Sequence, residues 1–166
     1  MSKLNYLYLG LGSNLGDKLN NIHLAYCLIQ KKIGVICRKS FVYKTPPWGF
    51  DSEEYFFNSV ILVKSNLTAN DVLAKIKWIE ARLGRETSYT IGYSSRIIDI
   101  DILDFNNDVN ETESLILPHP HIEKRSFVLY PLQDVNSKWV HPKSNSSLEN
   151  LITNLDKNTE ISRVIF

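Results

Sequence analysis

The 166-residue sequence has few of the features that mark several common protein classes. It has only two cysteines, Cys27 and Cys37, whose spacing matches neither a disulfide framework nor a zinc motif. We therefore expect both to be small buried residues in a reducing compartment. No apolar run approaches the roughly 18 residues of a membrane span, and the N-terminus lacks the apolar core of a signal peptide. The expected protein is soluble and cytoplasmic.

Charge of one sign is also not in excess, because 19 Lys and Arg residues face 18 Asp and Glu residues. This balance excludes a whole-molecule field that would gather nucleic acid or anionic lipid, so an anionic substrate must be held by a local cluster. We expect no nucleic acid and no membrane as partners. The length predicts one domain that spans residues 1–166.

Hydrophobic periodicity predicts the element order β-α-β-β-α-β. The predicted strands cover residues 6–11, 35–43, 56–63 and 97–105, and the predicted helices cover residues 17–32 and 68–84. Thr68 and Asp71 form a variant capping box, and Gly84 is the expected helix stop. This split βαβ order implies an antiparallel sheet with both helices on one face. After Leu115 we expect short elements separated by Pro118, Pro120, Pro131 and Pro142.

A glycine-rich segment at residues 10–16, with the sequence GLGSNLG, invites comparison with nucleotide-binding loops. It is one residue too long for GxGxxG, and it lacks the Lys-Ser/Thr pair of a P-loop. We interpret it as a strand-to-helix turn with a helix start near Ser13 or Asn14.

Asp99 and Asp101 are the strongest candidates for chemistry. Residues two apart share a face of a strand, so both carboxylates point one way while Ile98, Ile100 and Ile102 face the core. Two like charges on one face repel each other, and a divalent cation such as Mg²⁺ with phosphate oxygens would relieve that conflict. The alternative is a solvated edge strand whose charges discourage aggregation.

Aromatic and basic residues around these aspartates suggest ligand pockets. Phe56 and Asn58 share a strand face and could bind a flat heterocycle, whereas Phe57 is predicted to be core. His119 and Arg125 could form an anion site, and a zinc site at His119-Pro120-His121 lacks a third ligand. We expect His23 and His141 to be surface or structural residues.

Taken in order, six segments resemble the 6-hydroxymethyl-7,8-dihydropterin pyrophosphokinase family of folate biosynthesis. The segments are GLGSNLG at 10–16, FVYKTPPWG at 41–49, FFNSV at 56–60, IEARLGR at 79–85, RIIDIDIL at 96–103, and the stretch from LPH at 117–119 to RSF at 125–127. The resemblance implies an α+β, ferredoxin-like βαββαβ sandwich with an antiparallel sheet and extra C-terminal elements. It also implies the transfer of a diphosphate from ATP to the pterin hydroxymethyl group, which leaves AMP. With it we expect a single catalytic domain over residues 1–166, small-molecule substrates, and a monomer.

The resemblance further implies the roles of individual residues. Asp99 and Asp101 would hold two Mg²⁺ ions, and they would act with Arg85 and Arg96 as the catalytic set. The implied pterin-binding residues are Thr45, Pro46, Trp48, Phe56, Asn58, Tyr93 and Phe127. The implied ATP-binding residues are Glu80, Arg85, Arg96, Ile102, His119 and Arg125.

The sequence departs from the family pattern at a few of its usual positions. Phe56 stands where the family often has Tyr, and Thr87 replaces a second arginine. The positions before Arg96 read Tyr93-Ser94-Ser95 where the family has Trp-Gly-Pro, Gly92 replaces a basic residue, and Ser114 replaces an arginine.

Two other functions fit parts of the pattern. A two-metal nucleotidyltransferase or phosphohydrolase would need a further carboxylate, for which Asp104 and Glu80 are the nearby candidates. An RNA-binding module could share the topology, but it would need a basic face and an aromatic run that the sequence does not contain.

Overall fold

The computed structural model describes residues 4–49, 53–84, 95–156 and 158–165. These residues form a mixed α/β structure with an antiparallel sheet and four α-helices. The strands are β1 (Asn5–Ser13), β2 (Val35–Lys39), β3 (Tyr43–Thr45), β4 (Phe56–Ser65), β5 (Asp99–Phe105), β6 (Asn110–Glu111), β7 (Ile116–Leu117) and β8 (Ser162–Arg163). The helices are α1 (Lys18–Lys32), α2 (Ala69–Arg82), α3 (Ser126–Val135) and α4 (Leu148–Thr153), with a short 3-10 helix at Ile122–Lys124.

The main sheet has the order β5-β1-β4-β3-β8, and β2 pairs with the far end of β4. Every pairing among the described strands is antiparallel. The segment predicted as one strand over 35–43 is therefore two strands, β2 and β3, on the same edge of β4. Between them the Ser40 hydroxyl accepts a hydrogen bond from the Val60 N–H at 2.9 Å, which replaces a backbone contact of the ladder.

The predicted helix start near Ser13 or Asn14 is wrong. β1 continues through Ser13 because it pairs with β4 on one side and β5 on the other. The turn comes later, at Gly16, whose positive φ of 62° suits glycine. α1 begins at Lys18, and Asp17 caps it by accepting a hydrogen bond from the Asn20 N–H at 3.0 Å.

Helices cover both faces of the sheet. One face packs against α1 and α2, through buried residues that include Leu7, Leu9, Ile22, Ile29, Ile76 and Ile79. The other face packs against α3 and α4, through residues that include Val60, Leu103, Leu129, Leu132 and Leu151. The predicted capping box of α2 is present, with Thr68 and Asp71 bonded reciprocally. α1 and α2 share a face, as the split βαβ order predicts.

Two expectations about individual residues are corrected by the fold. Both cysteines are exposed, because Cys27 lies beside the buried stripe of α1 and Cys37 lies at a register shift of the edge strand β2. Pro131 lies inside α3 rather than between elements. Burial of the apolar face of α3 offsets the backbone hydrogen bond that this proline cannot make. Within the described ranges, no helix is both long and apolar enough to span a membrane.

Candidate active site

Two cavities meet at the β5 edge of the sheet. The first encloses about 620 Å³, part of it open to solvent, between the sheet and the start of α3. Its lining includes Gly10, Gly12, Thr45, Pro46, Trp48, Phe56, Asn58, Phe127 and Val128. The second lies beside α2, and its lining includes Leu73, Lys77, Glu80, His119, Pro120 and His121. Four charged residues line both cavities: Arg96, Asp99, Asp101 and Arg125.

The strand β5 positions the two aspartates at this boundary. Asp99 and Asp101 alternate with Ile98, Ile100 and Ile102, which are buried in the core on the opposite face, as the period of a strand predicts. Across the ladder, Asp99 pairs with Gly12 and Asp101 pairs with Gly10. Because glycine has no side chain, the space above the neighbouring strand stays open beside both carboxylates.

Each aspartate faces an arginine. Arg96 Nη1 lies 3.0 Å from Asp99 Oδ2, and Arg125 Nη1 lies 3.3 Å from Asp101 Oδ2. The repulsion predicted between the two carboxylates is therefore offset by two cations. The cluster carries both charge signs, so it could hold a polyanion and a cation together.

His119 extends this cluster. Its Nε2 lies 3.8 Å from Asp101 Oδ2 and 3.3 Å from Arg125 Nη1. Burial, followed by the charges of Arg125 and His121, lowers the pKa of His119 to about 4. The imidazole is therefore neutral at pH 7, and it can donate or accept a hydrogen bond without adding charge.

Aromatic rings enclose the Arg125 guanidinium. Its Cζ lies 4.8 Å from the centre of the Trp48 ring and 5.5 Å from that of the Phe127 ring. The Arg125 side chain is only 5% exposed. Contacts with aromatic faces stabilise a cation that has lost its water, so they hold this guanidinium at the boundary of the cavities.

The strand β4 places Phe56 and Asn58 in the first cavity. Asn58 is buried and donates a hydrogen bond from Nδ2 to Thr45 Oγ1 at 2.8 Å. Phe57 packs against the core on the other face of the sheet, as predicted. A Cβ atom built on Gly12 would lie 2.9 Å from Asn58 Oδ1, so any other residue at position 12 would displace the Asn58 amide.

In the second cavity, Glu80 connects α2 to β5. Its Oε1 accepts a hydrogen bond from the Ile100 N–H at 2.8 Å, between the two aspartates. Ile102 is different, because its side chain is buried in the core and lines neither cavity.

Asp104 is not available as a further metal carboxylate. A register shift between β1 and β5 turns it toward α3 and α4, where it accepts hydrogen bonds from Trp139 Nε1 at 2.7 Å and the Asn107 N–H at 2.8 Å. Burial is the largest cause that raises the pKa of Asp104.

The donor set at the boundary fits magnesium. In the part of the chain that the structure describes, no group of three His, Cys, Asp or Glu side chains could hold a metal ion. Asp99 and Asp101 supply hard carboxylate oxygens from one strand face, and Mg²⁺ is commonly bound by one or two carboxylates together with water and substrate phosphates. Among the residues that the structure describes, no third ligand joins His119 and His121 to make the zinc site that needs one.

Several residues singled out in the sequence analysis do not line either cavity or cannot be placed. Arg85 and Tyr93, and the departures at Thr87, Gly92 and Ser94, lie outside the described residues. Ser114 is exposed and lines neither cavity.

The residues missed by the sequence analysis include Lys77 and Val128. Lys77 precedes Glu80 by three positions, so helical periodicity places both on one face of α2. Val128 carries no signal, because it follows Phe127 as an ordinary apolar helix residue.

The chain is similar to known proteins in both sequence and fold. The sequence model of the 7,8-dihydro-6-hydroxymethylpterin-pyrophosphokinase (HPPK) family matches residues 8–137. The 2-amino-4-hydroxy-6-hydroxymethyldihydropteridine pyrophosphokinase of Aquifex aeolicus is 38% identical over 136 residues, which cover 82% of this chain and 83% of that protein. The protein of the same name from Porphyromonas gingivalis is 40% identical over 141 residues, which cover 83% of this chain and 95% of that protein.

Other relatives are much longer than this chain. The folic acid synthesis protein FOL1 of Dictyostelium discoideum is 34% identical over 160 residues, which cover 96% of this chain but 24% of that protein. Among solved structures, an HPPK-DHPS in complex with substrates has a TM-score of 0.72 at 16% identity, covering 90% of this chain and 43% of that one.

The wild-type HPPK-DHPS of Plasmodium falciparum with pteroate has a TM-score of 0.75 at 18% identity, covering 92% of this chain and 44% of that one. The chain thus spans less than half the length of these structural relatives, and at such low identity they show the fold alone. The family match and the identities to the bacterial enzymes establish that the chain belongs to the 7,8-dihydro-6-hydroxymethylpterin pyrophosphokinase family.

Proposed function

We propose that the first cavity binds hydroxymethyldihydropterin, that the second binds ATP, and that the four shared charged residues hold the transferred pyrophosphate. As a member of its family, the chain is a pyrophosphokinase of folate biosynthesis that transfers pyrophosphate to hydroxymethyldihydropterin. The observation that carries the assignment of cavities is their common wall, formed by Arg96, Asp99, Asp101 and Arg125.

The lining of the first cavity supports a pterin there. Phe56 and Phe127 offer apolar ring faces, and the Asn58 amide and Thr45 offer polar atoms for the edge of a flat heterocycle. Pro46 and Trp48 complete the wall on the side of β3. Tyr93 belongs to the same proposed set by sequence position.

The lining of the second cavity supports a nucleotide. Arg96, His119 and Arg125 would contact phosphate oxygens, and Glu80 would lie near the adenosine. Arg85 is proposed to contact phosphate by sequence position. For Ile102, only the backbone is left to contact the nucleotide, because its side chain lies in the core.

The proposed reaction is an in-line displacement at the β-phosphorus. The pterin hydroxyl oxygen forms a bond to that phosphorus, the bond to the α,β-bridging oxygen breaks, and AMP leaves with the bridging oxygen while the hydroxyl proton passes to solvent. Arginine guanidinium groups and the His119 ring donate hydrogen bonds to the transferred group. Positioning supplies most of the catalysis, so the site needs no strong base.

Asp99 and Asp101 would hold Mg²⁺, and we propose two ions. When bound, the metal neutralises negative charge on the triphosphate. The acidic pair would hold the cations, and Arg96 and Arg125, which lie 3.0 and 3.3 Å from these carboxylates, would contact phosphate oxygens.

The proposal extends to the organisation of the chain. The order β5-β1-β4 followed by β2 and β3, with α1 and α2 on one face, supports the ferredoxin-like βαββαβ arrangement with extra C-terminal elements. We propose that the chain acts as one catalytic domain and as a monomer. Its partners are then small molecules.

The product nucleotide tests the function. The protein is mixed with Mg²⁺, ATP and hydroxymethyldihydropterin, and adenine nucleotides and pterin products are separated by chromatography. AMP should accumulate in step with pterin diphosphate. The Asp99→Asn/Asp101→Asn double variant is the control and should form neither product at a comparable rate. Formation of ADP with a monophosphorylated pterin would overturn the proposal.

A further inference from the structure

Asn14 is a buried polar residue that the proposed chemistry does not use. It follows β1 directly and is 0% exposed. A buried amide is costly unless its donors and acceptor are bonded, so the partners of Asn14 indicate what it does in the fold.

Three hydrogen bonds join Asn14 to two consecutive residues. The Asn14 N–H donates to the Arg96 carbonyl at 3.2 Å, and the Arg96 N–H donates to Asn14 Oδ1 at 2.7 Å. Asn14 Nδ2 donates to Ser95 Oγ at 2.9 Å. Asn14 therefore bonds the backbone N–H and the backbone carbonyl of Arg96, together with the hydroxyl group of Ser95.

These bonds continue the β1–β5 pairing beyond its end. The last ladder pair of the two strands is Gly12 with Asp99. Past that pair, the Asn14 side-chain carbonyl takes the place of a backbone acceptor for Arg96. The backbone of Arg96 is thus fixed relative to β1 although Arg96 lies outside β5.

We propose that Asn14 is a positioning residue, which orients Arg96 for the transferred phosphates by holding its backbone against the end of β1. With the backbone held, the guanidinium reaches Asp99 Oδ2 at 3.0 Å, at the wall shared by the two cavities. This inference rests on the proposed function, because it assigns Asn14 a role through the phosphate contact of Arg96. Asn14 itself lines neither cavity among the described residues.

A double-mutant cycle separates this role from a purely structural one. Asn14→Leu keeps the number of side-chain heavy atoms and removes the amide, and we expect kcat to fall about 100-fold, as a displaced catalytic group typically costs. In an Arg96→Ala background, Asn14→Leu should leave kcat unaltered, because the Arg96 guanidinium that it would displace is already absent. The urea midpoint should fall equally in both backgrounds, since the two lost bonds go to the backbone N–H of residue 96 and to the Ser95 hydroxyl, and Arg96→Ala changes neither group.

Three further variants complete the experiment. Asn14→Asp keeps an acceptor for the Arg96 N–H, and the Ser95 hydroxyl can rotate to donate to the carboxylate, so its kcat should exceed that of Asn14→Leu. Asn5→Leu removes a comparable buried amide from the other end of β1, where it bonds Leu67 and Asn106, and should lower stability without lowering kcat. If Asn14→Leu does not fold, Ser95→Ala removes one of the three bonds, and the same cycle with Arg96→Ala is run on it.

The outcomes are distinct. A loss of kcat that is equally large in the Arg96→Ala background would overturn the inference and leave the proposed function in place. So would a loss of kcat in Asn5→Leu that matches Asn14→Leu at equal loss of stability. A folded wild-type protein that forms no AMP would overturn the proposed function, and the inference with it.

Discussion

At the scale of single residues, the shape of the first cavity depends on a side chain that Gly12 does not have. The clash predicted for a Cβ atom there is with Asn58 Oδ1, at 2.9 Å. Asn58 cannot simply move away, because it is 5% exposed and bonded to Thr45. Space, rather than an unusual backbone angle, therefore requires glycine at this position.

Gly12→Ala should consequently weaken pterin binding. The added methyl group displaces the Asn58 amide and breaks its bond to Thr45, at a cost of about 1–3 kcal/mol in pterin affinity by calorimetry. Gly10→Ala is the comparison and should have a smaller effect, since the atoms nearest to a Cβ atom there belong to the flexible end of the Leu103 side chain, at 3.3 Å. Unchanged pterin affinity in folded Gly12→Ala would show that Asn58 does not contact the pterin.

The ion pairs of the aspartates determine a second prediction at this scale. The sequence alone predicts that the metal-free protein becomes more stable when one of the two carboxylates on this strand face is replaced, because the repulsion between them is relieved. The structure reverses the expected sign for Asp101, which faces the buried guanidinium of Arg125 at 3.3 Å.

Asp101→Asn should destabilise the metal-free protein by about 1–3 kcal/mol, because it removes a carboxylate that faces a buried charge. Urea denaturation in the presence of EDTA measures this difference. Asp108→Asn, at an exposed aspartate of the same region, should change stability little. A more stable Asp101→Asn protein would mean that repulsion between the carboxylates dominates.

At the scale of the element, the chain after α3 is tied to β5 by buried polar contacts. Asp104 accepts a hydrogen bond from Trp139, and His141 packs edge-on against the Trp139 ring at 5.7 Å. His141 Nδ1 accepts hydrogen bonds from the N–H groups of Lys143 and Ser144, at 3.3 and 3.0 Å. The strand that carries the candidate metal ligands is thus braced by the turn that precedes α4.

This bracing should depend on pH through His141. Burial is the largest cause that lowers the pKa of His141 below its ordinary value, so the folded state favours the neutral ring. The corresponding stability is present above the unfolded pKa of about 6.5 and is lost as the pH falls below it. Protonation also removes the Nδ1 acceptor that Lys143 and Ser144 use.

His141→Asn supplies an acceptor oxygen that does not titrate. Its stability should therefore fall less than that of the wild type between pH 7 and pH 5, as measured by urea denaturation at each pH. His23→Asn, on the exposed face of α1, is the control and should follow the wild-type curve. Parallel pH dependences of the wild type and His141→Asn would exclude His141 as the group responsible.

At the scale of the whole molecule, two cavities on different sides of β5 share one charged wall. The first is built from β1, β3, β4 and α3, and the second from α2 and the segment before α3. Chemistry between two bound substrates requires such a boundary, because the reacting atoms must approach while each substrate keeps its own contacts.

Removal of the metal tests the shared wall. EDTA should weaken ATP binding to the wild-type protein, because the Asp99 and Asp101 carboxylates then face the triphosphate with no metal ion between them. In the Asp99→Asn/Asp101→Asn variant, EDTA should change ATP affinity much less. Titration calorimetry with and without Mg²⁺ measures both effects. An equal response of the two proteins to EDTA would place the metal on other residues.

The sequence by itself determined the features of the fold that depend on local periodicity and on helix capping. Asp99 and Asp101 share a face because a strand repeats every two residues, and α2 is capped by Thr68 and stops before Gly84 because its caps are local. The order of the first elements and the family membership also follow from the sequence. These features need no knowledge of distant residues.

Only the tertiary structure decided the features that depend on contacts between distant segments. Pairing of β1 on both sides extends that strand through Ser13, and α3 and α4 cover the second face of the sheet. Asp101 faces Arg125, which is 24 positions away in the sequence, and Asn14 bonds Arg96, which is 82 positions away. Such pairs form because folding brings their chain segments together, and neither period nor spacing in the sequence encodes which partner each residue meets.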